Sequence, residues 1–289
     1  MSPMNLSRRF PRSSFAAGLL ALLTVVTHGV SAKEIPPLRE SRVPGGVAWI
    51  DLGPSSNPKP TATLESNRVW VLEREGRWNA ITGISLATKP GTHELQVTQS
   101  GETRALPFVV KSKSYPVQAI KLNRAMVDPP PEVMARIERE SAHLKAVRAT
   151  WRESATTNAA FRLPSEGPLS SRFGVARVLN GKPRSPHAGL DVAAPTGTPV
   201  VAPGDAIVLD VGDYYFCGKS IILDHGNGLH TLYCHLSETT AKAGANVTQG
   251  ERIGAIGSTG RSTGPHLHWT VYLNGTAVEP ELFIPAAKR

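Results

Sequence analysis

Gly264-Pro-His-Leu-His-Trp-Thr-Val-Tyr-Leu273 is the stretch on which the reading of this chain turns. From His268 onward it is a run of β-branched and aromatic residues, the composition of a strand. Side chains two apart on a strand share a face, so His266 and His268 present two imidazoles side by side. Upstream, His187-Ala-Gly-Leu-Asp191 sets a carboxylate four residues after another histidine. Zinc in a catalytic site usually takes three N or O ligands from the protein and leaves the fourth position for water. These motifs supply such a set with one histidine to spare, which makes a hydrolytic zinc site the leading reading.

Six of the nine histidines fall between residues 187 and 268. With both His266 and His268 on the metal, the site is closed by three histidines and an aspartate. With only one of them bound, the other stands beside the metal as a base or electrostatic clamp. Spacing does not choose between these. His235, directly after Tyr233-Cys234, ends a strand that could neighbour the His266–His268 strand and is a further partner. His225 and His230 lie on the same hairpin at other phases and read as structural. Zinc would lower the pKa of its water to about 7 and polarise a carbonyl. One neighbouring histidine would take the proton and a second would steady the oxyanion. No Ser-His-Asp order with a nucleophile elbow competes, so the reaction class is metal-assisted amide hydrolysis.

Outward from this centre the chain is mostly β. Residues 158–289 alternate short apolar runs with glycine turns, among them Ala206–Val211, Ser220–Leu223, Leu229–Tyr233 and Arg252–Ile256, the pattern of an antiparallel sheet or β-roll. Residues 33–121 carry strand-like runs at Gly46–Asp51, Arg68–Leu72, Glu94–Val97 and Ala105–Val110 and read as a small β-sandwich-like domain. Between them, residues 122–157 form a linker. Asp128-Pro-Pro-Pro131 opens a helix there, and Met134, Ile137, Leu144, Val147 and Trp151 recur along it as one packing stripe of about six turns.

Residues 1–32 read as a secretory signal: Arg8, Arg9 and Arg12, then the apolar run Phe15–Val26, then Val30-Ser-Ala32 as a cleavage site. That run is too short to span a bilayer comfortably, so no stable membrane insertion is expected after cleavage. The net charge is +9. Its positive residues are spread out, without the dense basic blocks of a nucleic-acid binder, and suit an anionic envelope polymer. Cys217 and Cys234 are the only cysteines. In an exported chain they are expected to face each other across a hairpin as a disulfide, which would stabilise by about 3 kcal/mol.

His187-x-x-x-Asp191, Tyr233-Cys-His235-Leu and Gly264-Pro-His266-Leu-His268 together resemble the three signatures of lysostaphin-type (LytM) zinc peptidases. Ser171-Arg-Phe-Gly174 and Ser258-Thr-Gly-Arg-Ser-Thr-Gly264 agree, so the resemblance runs over roughly residues 164–283. It implies one zinc held by His187, Asp191 and His268, with His235 and His266 as general base and transition-state stabiliser. It implies a periplasmic or secreted endopeptidase on peptidoglycan cross-links, with the D-alanyl–diaminopimelate bond as the expected target. Gly46-Val-Ala-Trp, Trp78-Asn-Ala-Ile-Thr-Gly83 and Tyr115-Pro-Val-Gln-Ala resemble the N-terminal domain of exported Gram-negative members, a place for an envelope protein partner. Two other readings share the scaffold: a Gly-Gly-directed lysin, and a non-catalytic envelope regulator that activates a cell-wall amidase.

Overall fold

The structure is a computed structural model that describes Met1, residues 38–120 and residues 129–286. The signal sequence expected over residues 1–32 lies outside the described residues, and among those that are described no helix is long and apolar enough to cross a membrane. The N-terminal segment forms β1 (Val47–Pro54), β2 (Thr61–Leu64), β3 (Asn67–Arg74), β4 (Arg77–Gly83), β5 (Gly91–Gln99) and β6 (Glu102–Val110). They pair antiparallel in the order β1-β4-β3-β2-β5-β6.

Alternation decides which side is inside. On β5, Leu95 and Val97 are buried while Glu94 and Gln96 are exposed. All six strands feed one core, to which Ile50, Ala62, Val71, Ala80, Leu95 and Phe108 each contribute from a different strand. The expected sandwich is therefore one continuous sheet folded over its own core. Strand β4 gives no alternating signal because it is covered on both faces, Ala80 belonging to this core and Ile81 to the next.

The chain continues through β7 (Val117–Ile120) and α1 (Pro131–Arg148), then β8 (Leu169–Ser171), β9 (Ala176–Leu179), β10 (Lys182–Arg184) and β11 (Leu190–Ala193). After these come β12 (Pro199–Val201), β13 (Ala206–Tyr214), β14 (Gly218–Gly226), β15 (Leu229–Thr239) and β16 (Asn246–Val247). Last are β17 (Arg252–Ile256), β18 (His266–Leu273) and β19 (Thr276–Val278). The main sheet runs β16-β13-β14-β15-β18-β11-β8, with β17 on β15 and β12, and β19 on β18. Eight consecutive residues of β15, Leu229–Leu236, are buried because both its faces are covered. One side meets the core of Tyr233, Trp269 and Val271, the other meets α1.

Helix α1 begins on Pro131, where a missing N–H costs nothing. It spans 18 residues, about five turns rather than six. Leu144 and Val147 pack against Ile222, Leu232, Cys234 and Tyr272, whereas Met134 is exposed. Only the C-terminal half of the stripe is seated, and Trp151 lies beyond the helix end under the Arg68 guanidinium, 4.5 Å from its ring centroid.

The two sheets are stitched together. Val47, Trp70 and Ile81 join the same core as Leu273, Val278 and Phe283. Gly83 N–H donates to Asn274 Oδ1 at 2.7 Å, and Lys113 pairs with Glu279 at 2.7 Å. Strand β7 pairs with β9, which pairs in turn with β10. The β7–β9 pairing is parallel, a departure from the all-antiparallel expectation that draws the N-terminal segment to the rim of the site.

Candidate active site

Strands β11 and β18 set Asp191 directly opposite His268 and Ala193 opposite His266. Asp191, His266 and His268 consequently share a face, as the i, i+2 spacing requires. His187 arrives from the loop before β11, held by its N–H to the Val175 carbonyl at 2.9 Å and by its own carbonyl to Gly174 N–H at 2.8 Å. His187 Nε2, Asp191 Oδ1 and His268 Nδ1 end 2.8 to 3.0 Å from one another. Gly189 makes room for this, since a Cβ there would lie 2.6 Å from His268 Cε1.

The surrounding hydrogen bonds set the tautomers. His187 Nδ1–H donates to the Arg172 carbonyl at 2.9 Å, which leaves the Nε2 lone pair facing inward. His268 Nε2 meets Thr270 Oγ1 at 3.0 Å, and donating there leaves Nδ1 as the inward acceptor. Two nitrogen lone pairs and a carboxylate oxygen then converge on one spot. All three atoms lie within 4.8 Å of one another, close enough to serve one ion. The donor set thus fits a metal ion. Burial works to raise the Asp191 carboxyl, yet the adjoining His187 and His268 rings outweigh it and hold the group well below the usual range. Burial pushes His268 down against the pull of Asp191.

His235 reaches the same cleft by a different route. Cys234 lies opposite His268 on the α1 side of the sheet, so plain alternation would send His235 with Tyr233 into the core. A φ of 65° at His235 turns it out instead. That conformation costs a non-glycine residue about 1 kcal/mol or more and is concentrated at functional positions. The ring stands 4.7 Å from that of His266 and 6.2 Å from that of His268. His235 Nδ1–H donates to the Thr259 carbonyl at 2.8 Å, and His266 Nδ1–H to the Gly264 carbonyl at 2.9 Å. Each ring keeps Nε2 as an acceptor on the wall of a cleft of about 330 Å³ that also contains Asp191 and His268. Burial pushes His235 down to about 4, so it is neutral at pH 7.

Residues 185–280 match peptidase family M23, and residues 40–113 match the peptidase family M23 N-terminal domain. A solved Pseudomonas aeruginosa structure assigned to peptidase M23 superposes with a TM-score of 0.74 at 40% identity, covering 86% of this chain and 98% of that one. The chain belongs to peptidase family M23. Among curated relatives, the peptidoglycan DD-endopeptidase ShyA of Vibrio cholerae is 40% identical over 119 residues, 41% of this chain and 28% of that protein. The DD-carboxypeptidase/endopeptidase Mpg of Neisseria meningitidis is 49% identical over 94 residues, 32% of this chain and 22% of that protein. The chain thus aligns with about a quarter of the length of these curated relatives. All five residues singled out from the sequence, His187, Asp191, His235, His266 and His268, fall inside the M23 peptidase match.

The remaining expectations divide. His225 and His230 are buried away from the cleft, His225 donating to the Asp205 carbonyl at 2.9 Å and His230 lying 3.7 Å from Asp224. Cys217 and Cys234 come together, and in this structure they stand as free thiols. Hairpin geometry brings the sulfurs together; bonding them is a matter of oxidation. One cleft residue of this M23 chain carries no motif. Arg177 on β9 lies with its Nη2 3.6 Å from Asp191 Oδ2. The Asn180-Gly181 turn that builds its hairpin is the one signal available for it in the sequence.

Proposed function

We propose that the protein is a zinc-dependent endopeptidase that hydrolyses amide bonds in peptidoglycan stem-peptide cross-links, the D-alanyl–diaminopimelate bond foremost. The observation that carries this is the convergence of His187, Asp191 and His268 beside two acceptor histidines in one cleft. A zinc ion bound there would supply Lewis acidity towards the substrate carbonyl and acidify water. His187, Asp191 and His268 are its proposed ligands.

His235 and His266 handle the protons. With Nδ1–H fixed on a backbone carbonyl, either ring can accept a proton at Nε2 from the attacking water. The protonated ring can then return it to the departing amine nitrogen. The other ring, on the same wall, orients the water by accepting from it at Nε2 and, in its protonated form, donates from Nε2 to the developing oxyanion. Thr259 and Gly264 keep both rings from turning, so little reorganisation is needed during the reaction.

A periplasmic or secreted location follows from such a substrate and from the signal-like residues 1–32. In that compartment Cys217 and Cys234 would close into a disulfide. We assign residues 33–121 to an N-terminal β domain that meets an envelope partner, residues 122–157 to the linker and residues 158–289 to the peptidase. Digestion of purified cross-linked peptidoglycan, with and without a chelator, tests the proposal. Chelator-sensitive conversion of dimeric to monomeric muropeptides is expected. Persistence of the dimers at full zinc occupancy would overturn it in favour of the amidase-regulator reading.

A further inference from the structure

Three arginines gather at the rim of the metal cleft. Arg177 and Arg261 line it, and Arg184 sits directly across from Arg177 in the β9–β10 hairpin. Arg177 and Arg184 both act on Arg261, whose burial already lowers it below the usual guanidinium value, so the three charges feel one another. Like charges opposed on neighbouring strands are destabilising, and a desolvated guanidinium costs free energy unless an anion meets it. The carboxylate beside Arg177 is that of Asp191, and at 3.6 Å it is beyond hydrogen-bond length. The Oδ1 atom of that carboxylate faces His187 and His268 instead. Arg177 Nε is buried with no hydrogen-bond acceptor among the described residues. Arg261, by contrast, is held in place, its guanidinium 4.4 Å from the Phe216 ring centroid and its N–H on the Phe216 carbonyl at 3.0 Å.

A guanidinium presents a rigid planar fork of donors that matches a carboxylate. We infer that Arg177, flanked by Arg261, binds a substrate carboxylate carried on the carbon next to the scissile amide nitrogen. The inference deepens the proposed endopeptidase reading and rests on it for the identity of the substrate. When the amide is made on one amino group of diaminopimelate, the same carbon still bears a carboxylate. A glycyl-glycine bond has no such group, and an amidated diaminopimelate has lost the charge. Gripping that carboxylate would set the amide beside the His187–Asp191–His268 triad in one orientation, with its nitrogen towards the two acceptor histidines. Specificity for a carboxylated cross-link then arises from a strand that supplies neither a metal ligand nor a proton acceptor.

The test uses the zinc-loaded full chain and two muropeptide dimers, one with the diaminopimelate carboxylate free and one with it amidated. The wild type should prefer the free acid. Arg177→Gln should lower kcat/KM on the free acid by about tenfold or more, chiefly through KM, with a much smaller loss on the amide. Arg177→Lys, which keeps the charge without the fork, should fall between, and metal content should be unchanged in both. Calorimetric titration of His266→Ala gives a readout independent of turnover. It should bind the acid more tightly than the amide, increasingly so at low salt, and the preference should vanish on adding Arg177→Gln. Equal binding of acid and amide by His266→Ala, an equal loss on both dimers in Arg177→Gln and Arg177→Lys, or loss of metal from these variants would overturn the inference. Discrimination in binding without cleavage of either dimer by the wild type would sink the endopeptidase reading while leaving the carboxylate site standing.

Discussion

The six-stranded N-terminal sheet and the ten-stranded C-terminal sheet share their turn chemistry. Glu75-Gly76 and Ser100-Gly101 in the first, and Asn227-Gly228 and Asn274-Gly275 in the second, take positive φ at both positions, the twist that closes a two-residue hairpin. What they bury is different. Among residues 38–120, Thr82 is the one buried polar side chain, whereas the C-terminal sheet buries His187, Asp191, Asp224, His225, His230 and His235. A buried polar group costs about 1–3 kcal/mol unless it is partnered. Some of these are fully engaged: Asp224 accepts from Arg152 at 2.7 Å and from Gly226 N–H at 2.7 Å. The His187, Asp191, His268 group instead turns its acceptors on one another. An apolar sheet can be stable without purpose beyond packing; unsatisfied acceptors aimed at one point are a cost that only a ligand repays.

The contrast is most vulnerable within the C-terminal sheet itself. Asp191→Ala or His268→Ala should lose bound zinc and reduce muropeptide cleavage to background, read by metal analysis and chromatography. His235→Ala and His266→Ala should keep the zinc and lower kcat by about 10²- to 10⁴-fold. Equal zinc loss in all four variants would erase the division of roles. Leu95→Ala, in the fully buried centre of the N-terminal core, should cost about 2–5 kcal/mol in denaturant unfolding and leave zinc content unchanged. A shift in metal affinity from that variant would show that the two sheets are not energetically separable.

A smaller effect is expected from pH. Burial lowers His225 to about 4, with His230 and Arg152 adding to the shift and the Asp205 carbonyl and Asp224 opposing it. The unfolded chain therefore takes up this proton first. The neutral His225 contributes its full stability above about 6.5 and loses it as pH falls towards about 4, a change of about 3 kcal/mol. Thermal unfolding across that window should show a fall that His225→Gln reduces. An identical fall in the variant would assign the acid sensitivity elsewhere.

Much of the site is legible in the amino-acid sequence. His187, Asp191, His266 and His268 stand in short spacings, and a strand period of two fixes which imidazoles share a face. The alternation of β5 and the apolar runs of β13 and β15 are equally plain. Strand β4 is not, because burial on both faces erases its period. Strands β9 and β10 are three or four residues of mixed composition, and only their Asn-Gly turn betrays them. The helix stripe overruns its end because Trp151 packs at the right phase without being helical. His235 stands out for its neighbours in sequence, but the φ that turns it to the cleft has no sequence signature at a non-glycine residue. State is less legible than place for Cys217 and Cys234, which meet without being bonded.

Everything in the mechanism depends on His268 going to the metal and His266 to the proton. Zinc stoichiometry of dialysed wild type, His266→Ala and His268→Ala, measured by elemental mass spectrometry, decides that assignment. About one zinc per chain in the first two and almost none in the third is the predicted result. Zinc kept by His268→Ala and lost by His266→Ala would contradict it.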